Sequence, residues 1–147
     1  MGEKIVLTLP SSASIDFYPK NDISRYTTRL AQTVTLDENG QYEIGISELV
    51  LPTAPTSSQD CFIYCNLCSQ NIVGDIVGKC LRVVRLEAKR ETYEFQRIYF
   101  HELERREFDT IDLFLADAAG TKLYDTASSL PRGSLGTIIV LCISRVK

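Results

Sequence analysis

A chain of 147 residues, 44% hydrophobic and 24% charged, is long enough to bury a core as one domain without metal or disulfide support. Its mean hydropathy of −0.04 is that of a globular chain rather than a disordered or membrane one. With 16 basic against 19 acidic residues the formal charge is −3, which argues against a dedicated nucleic-acid binder, because phosphate affinity comes from a basic excess. Five cysteines and an amino terminus that runs into alternation without a leader predict free thiols and a reducing intracellular compartment. The apolar run 138–143 is too short to span a bilayer, and Val6 occupies the position where a myristoylation motif carries Ser or Thr.

Period-two alternation dominates and helical periodicity is nearly absent, so residues 1–147 are expected to form one all-β domain. Strands are expected first at 5–9 and 15–18. From Tyr26 to Leu36, one face carries Tyr26, Leu30, Val34 and Leu36. Asp37-Glu38-Asn39-Gly40 follows, and 41–51 alternates again with Tyr42, Ile44 and Ile46 on one side; two alternating runs around Asn-Gly predict a hairpin. The Pro/Ser/Thr-rich stretch 52–59 reads as a loop. Further strands are expected at 61–68, 80–87, 95–100, 110–116 and 137–145. Gly74-Asp75-Ile76-Val77-Gly78 reads as a turn, since it is too short for a phosphate loop and lacks its lysine. Mixed-sign runs at 87–91 and 102–107 read as solvated loops, and Asp117-Ala118-Ala119-Gly120 and 128–134 as bends. Nine short strands with no repeat or linker point to a sandwich or barrel.

The chemistry-bearing residues offer little for catalysis. Cys61, Cys65 and Cys68 have the C-x3-C-x2-C spacing of a radical S-adenosylmethionine cluster site, but on a strand an odd spacing sends Cys65 and Cys68 to opposite faces. A four-thiolate zinc site from Cys61, Cys65, Cys68 and Cys80 would need a second CxxC knuckle that the chain lacks. A redox CxxC would need a helix amino terminus at Cys65. Packing as small apolar residues suits these cysteines best. His101 is the only histidine, which excludes multi-histidine oxygenase or cupin sites; beside Glu102 it reads as a surface strand-end residue rather than part of a triad. Paired carboxylates (Glu102 with Glu104, Asp109 with Asp112) single out no acid and base. Arg82, Arg85, Lys89, Arg90 and Arg97 give a basic tilt without an aromatic groove for bases. Phe17, Tyr18, Tyr64, Tyr93, Phe95, Tyr99 and Phe100 recur near strand ends, where they serve a core or a protein contact.

Taken in order, several segments resemble one family. Leu9-Pro10-Ser11-Ser12-Ala13-Ser14 followed by Asp16-Phe17-Tyr18-Pro19-Lys20-Asn21, and then Tyr26-Thr27-Thr28-Arg29-Leu30, is similar to the start of the penton-type minor capsid proteins of Polinton (Maverick) elements, virus-like DNA transposons. Tyr42-Glu43-Ile44-Gly45-Ile46-Ser47-Glu48-Leu49 resembles that family's W-E-V-G-L-x-E-I strand. Tyr64-Cys65-Asn66-Leu67 resembles its Y-C-D-L, with Ile72-Val73-Gly74-Asp75 downstream as IVGD. Leu81-Arg82-Val83-Val84 and Phe108-Asp109-Thr110-Ile111-Asp112-Leu113, with Asp117 and Gly120, complete the match over roughly 7–145. Tyr42 replaces the family's tryptophan, and Leu51-Pro52-Thr53-Ala54-Pro55 replaces its Tyr-Pro segment.

The resemblance implies a single jelly roll of two antiparallel four-stranded sheets. It further implies a structural, non-enzymatic subunit with no cofactor or metal, forming homopentamers at the fivefold vertices of a capsid. The implied partners are its own copies and a double jelly-roll major capsid protein, with no membrane span or direct nucleic-acid contact, and the implied location is the virion. The loops 52–59, 87–93 and 125–134 would then carry outer or shell contacts. The other expectation is a soluble β-sandwich binding module that takes a carbohydrate or peptide in its loops.

Overall fold

The computed structural model describes residues 4–123 and 136–146. Its strands are β1 (Lys4–Pro10), β2 (Arg25–Thr35), β3 (Tyr42–Val50), β4 (Gln59–Cys65), β5 (Asn71–Val73), β6 (Ile76–Gly78), β7 (Cys80–Leu86), β8 (Thr92–Glu94), β9 (His101–Glu102), β10 (Glu107–Ala116) and β11 (Ile138–Arg145). No helix occurs among the described residues, and every strand pair is antiparallel. A five-stranded sheet runs β1-β11-β3-β8, with β9 on the same edge of β3 as β8; a four-stranded sheet runs β2-β10-β4-β7; β5 and β6 form a separate hairpin.

Alternation places one face of each long strand in a single apolar core shared by both large sheets, as in a β-sandwich. Ile139, Leu141 and Ile143 of β11 join Ile44, Ile46 and Leu49 of β3 from one sheet. Cys61, Ile63 and Cys65 of β4 join Ile111, Leu113 and Leu115 of β10 from the other. Each such burial is worth about 1.5–3 kcal/mol for a Leu- or Ile-sized side chain. In β3 the inward residues Ile46 and Leu49 are three apart, which strict alternation forbids. A bulge resolves this: Leu141 pairs Ile46 while Val140 pairs Glu48, so Ser47 is the extra residue.

Four expectations are corrected. The Asn-Gly hairpin does not form, because β2 pairs β10 and β3 pairs β11, in different sheets. A hairpin turn of the I′ type needs positive φ at Asn39 and Gly40, and neither has it. Instead the Gly40 amide donates to the Asp37 carbonyl (3.1 Å), and the chain crosses between sheets. Residues 15–18 form turns, with the Ser14 carbonyl accepting from the Phe17 and Tyr18 amides. Residues 95–100 are not a strand but a strap between β8 and β9. The large sheets have five and four strands rather than four each. The bend expected at 128–134, and the loop expected at 125–134, lie outside the described residues.

Two hydrogen bonds identify the flanks of the molecule. The buried Tyr26 hydroxyl of β2 donates to the Leu9 carbonyl of β1 (2.7 Å), so edge strands β1 and β2 share one flank. On the other, Arg82 of β7 donates to the Arg97 carbonyl in the strap (3.0 Å), so β7, β8 and β9 lie together.

Candidate interaction surface

The cysteines are core residues. Cys61 and Cys65 point inward from β4, and Cys68 lies beyond the strand end, bridged to Leu103. The expected separation of Cys65 and Cys68 onto opposite faces therefore fails: the strand ends at Cys65, and the turn brings the Cys68 thiol back to within 3.5 Å of the Cys65 carbonyl, inside the core. Burial pushes the Cys61 and Cys65 thiols up to about 12 and Cys68 to about 11, with neighbouring thiols adding to it. At neutral pH burial keeps these thiols protonated, the form that is not nucleophilic. Among the described residues no group of three or more His, Cys, Asp or Glu is disposed to hold a metal ion. His101, on β9 opposite Ile44, is half-buried, and no hydrogen bond from a described residue reaches its ring.

The outer side of the four-stranded sheet carries what those inward residues leave behind. Register puts Arg25, Phe114 and Tyr64 in one row across β2, β10 and β4. The Arg25 guanidinium lies 4.1 Å above the Phe114 ring, whose centroid is 6.1 Å from that of Tyr64. Phe62 and Val83, paired across β4 and β7, extend this apolar ridge, and Val83 is half exposed. Beside it stands the β5–β6 hairpin, with Gly74 at positive φ and Asp75 completing a two-residue turn of the II′ pattern. Its cross-strand pair Ile72 and Val77 are 75% and 67% exposed, which adds a contiguous aliphatic patch to the surface. Two shallow hollows, of about 400 and 440 Å³, flank the Tyr64–Phe114 pair.

The opposite flank is built from the strap. Residue 45 is glycine because the strap crosses it: a methyl group there would collide with Ile98 and stand 2.9 Å from the Tyr99 carbonyl oxygen. Arg82 lies over the rings of Phe95 (3.8 Å) and Tyr99 (4.6 Å), and Arg97 over Tyr99 (5.7 Å). Where the strap rejoins the sheet, a hollow of about 350 Å³ is lined by Tyr42, Phe100 and His101, by the acidic Glu43 and Glu102, and by Arg106. Those two glutamates are direct cross-strand partners, as are Glu48 and Glu94 farther along β3.

No protein-family model matches the chain, and no characterised protein matches it significantly. Neither the ridge nor the acidic pairs were legible in the sequence, because both depend on which strands are neighbours. The hairpin had a signal that passed unused: β-branched pairs on either side of Gly74-Asp75.

Proposed function

We propose that the chain is a structural capsid subunit of the Polinton/Maverick penton type, a single jelly roll that forms homopentamers at the fivefold vertices of an icosahedral shell, against a double jelly-roll major capsid protein. The observation that carries this reading is the nesting of the strand pairs. β1 pairs with β11, β2 with β10, β3 with β8 and β9, and β4 with β7, outermost to innermost, as if one long hairpin had been rolled up. Counting β8 and β9 as a single edge strand interrupted by the strap makes both sheets four strands wide, the arrangement of a jelly roll, a fold common among viral capsid and lectin domains. The collinear motifs of the sequence supply the choice of capsid over lectin, since fold alone does not assign function.

Exposed apolar surface agrees with assembly. Ile72 and Val77 on the β5–β6 hairpin with Val83 on the four-stranded sheet, and Val6, Tyr99 and Phe100 on or beside the five-stranded one, are the kind of surface that a subunit buries against its neighbours. Free, buried thiols suit synthesis in a reducing intracellular compartment before packaging into a virion. Negative-stain electron microscopy of the purified chain tests the proposal: fivefold rings are expected, and a field of single small particles at every concentration contradicts it.

A second reading is favoured by the hollow beside Phe100, where an aromatic ring and two carboxylates are the groups that a carbohydrate- or peptide-binding module would use. It predicts a persistent monomer whose melting temperature rises with added ligand.

A further inference from the structure

Two sets of charges have no ion-pair partner among the described residues. Arg25 and Arg29 project from β2, stacked on Phe114 and Phe17 (4.8 Å for the latter), and neither forms an ion pair with a described carboxylate. Asp112, between them in the next strand, accepts the Thr27 hydroxyl instead (2.6 Å). Across the molecule, Glu43 faces Glu102 and Glu48 faces Glu94 in direct register, and none of the four has an ion-pair partner among the described residues. Like charges directly opposite on neighbouring strands destabilise a sheet, so an isolated chain carries these pairs at a cost.

The two sets sit on opposite flanks. Arg25 and Arg29 lie on β2, which the Tyr26–Leu9 bond places beside β1. The glutamate pairs lie along the β3–β8 and β3–β9 edge, on the side that the Arg82–Arg97 bond joins to β7. They therefore meet only between molecules. Resting on the capsid reading above, the geometry points to a head-to-tail contact in which Arg25 and Arg29 of one copy dock on the glutamate pairs of the next. Because the docking surfaces differ, the contact is heterologous, the type that generates rings when its rotation closes. Two cations stand on the acidic flank as well, Arg97 over Tyr99 and Arg106 in the wall of the hollow with its guanidinium on the Asp37 and Glu38 carbonyls; against the four carboxylates they leave two negative charges in excess. The hollow between Phe100 and the Glu43/Glu102 pair offers a guanidinium an aromatic wall and two acceptors at once.

Charge reversal tests this by sedimentation velocity across a concentration series. The wild-type chain is expected to assemble, with association weakening as salt rises. Arg25→Glu/Arg29→Glu, and separately Glu43→Lys/Glu102→Lys, should each weaken association at least about tenfold. Combining all four substitutions in one chain should restore it. Glu43→Gln/Glu102→Gln guards against misfolding as the explanation: relief of repulsion should raise the melting temperature of the dissociated chain while association still weakens, whereas a merely structural pair would lower both. A wild type that assembles regardless of either reversal, or a fourfold variant that stays dissociated, overturns the charged contact and leaves the capsid reading standing. A wild type that remains monomeric throughout overturns both.

Discussion

Where β1 meets β2, the two sheets are joined by directional hydrogen bonds, most of them buried; where β7 meets the strap, they are joined by one exposed hydrogen bond from Arg82 to the Arg97 carbonyl and by stacked rings and guanidinium groups. On the first flank the Ser11 hydroxyl accepts from the Thr137 amide (3.0 Å), the Thr137 hydroxyl donates to the Ile23 carbonyl (2.6 Å), and the Asn21 amide exchanges two bonds with the Thr27 backbone (2.9 and 3.0 Å). Asp22 accepts from the Ser24 and Arg25 amides with one oxygen (both 2.8 Å) and from Lys122 with the other (2.5 Å). On the second flank, Arg82 has no carboxylate partner among the described residues, and burial holds its guanidinium below the usual arginine range. A hydrogen-bonded flank admits one geometry, since any displacement leaves a buried polar group unpaired. Stacking is less directional, so the strap flank can adjust to a neighbour.

Breaking that contrast should give unequal losses. Asp22→Ala removes a carboxylate whose side chain is only 7% exposed and strands three donors; it should cost about 3 kcal/mol by urea denaturation, at the low end for breaking a buried pair because Lys122 is partly solvated. The same residue sets an acid limit. Burial pushes the Asp22 carboxyl up, but the Lys122 bond and the Arg25 and Ser24 amides outweigh it and hold the carboxyl below its ordinary 3.8. A depressed native value means that its stabilisation is complete above 3.8 and is lost as pH falls through the lower native value. The wild type should therefore lose more stability between pH 6 and pH 3 than Asp22→Asn does, and equal losses would contradict this role.

Next in size is Gly45→Ala, which drives a methyl group into Ile98 and the Tyr99 carbonyl. It should cost about 2 kcal/mol and expose the strap to limited proteolysis within 95–100. Tyr26→Phe deletes the bond to the Leu9 carbonyl while keeping the ring, for a loss of about 1–1.5 kcal/mol. Arg82→Gln should cost least, under about 1 kcal/mol, because the stacked guanidinium is partly exposed. An Arg82→Gln loss exceeding that of Tyr26→Phe would erase the distinction between the flanks.

Alternation alone placed most long strands correctly, because the inward faces of β1, β4, β7, β10 and β11 follow period two closely enough to be seen without tertiary information. It failed where the partner was decided at long range. Asn39-Gly40 carries the stronger hairpin signal and makes none, while Gly74-Asp75 carries the weaker and does; the difference lies in the partners that β2 and β3 find in β10 and β11. Between Ser11 and Ser24 the sequence suggested only a strand at 15–18, yet what the segment provides is buried polar residues, Ser11, Ser14, Asn21, Asp22 and Ser24, each closing hydrogen bonds that solvent would otherwise serve. The strap at 95–100 has the residue types of a strand but leaves the ladder after the Phe95 amide, which donates to the Ser47 carbonyl of β3 (2.9 Å); from there Phe95 and Tyr99 take up Arg82 instead of a neighbouring strand. The candidate surface was the least legible part, being composed of residues from strands distant in the chain.

The mass of the chain in solution, by sedimentation equilibrium or native mass spectrometry over a wide concentration range, tests the central proposal most directly. A closed assembly of five copies of the 16.5 kDa chain, with no larger open series, is the predicted result. A single species at the mass of one chain at every concentration would contradict it.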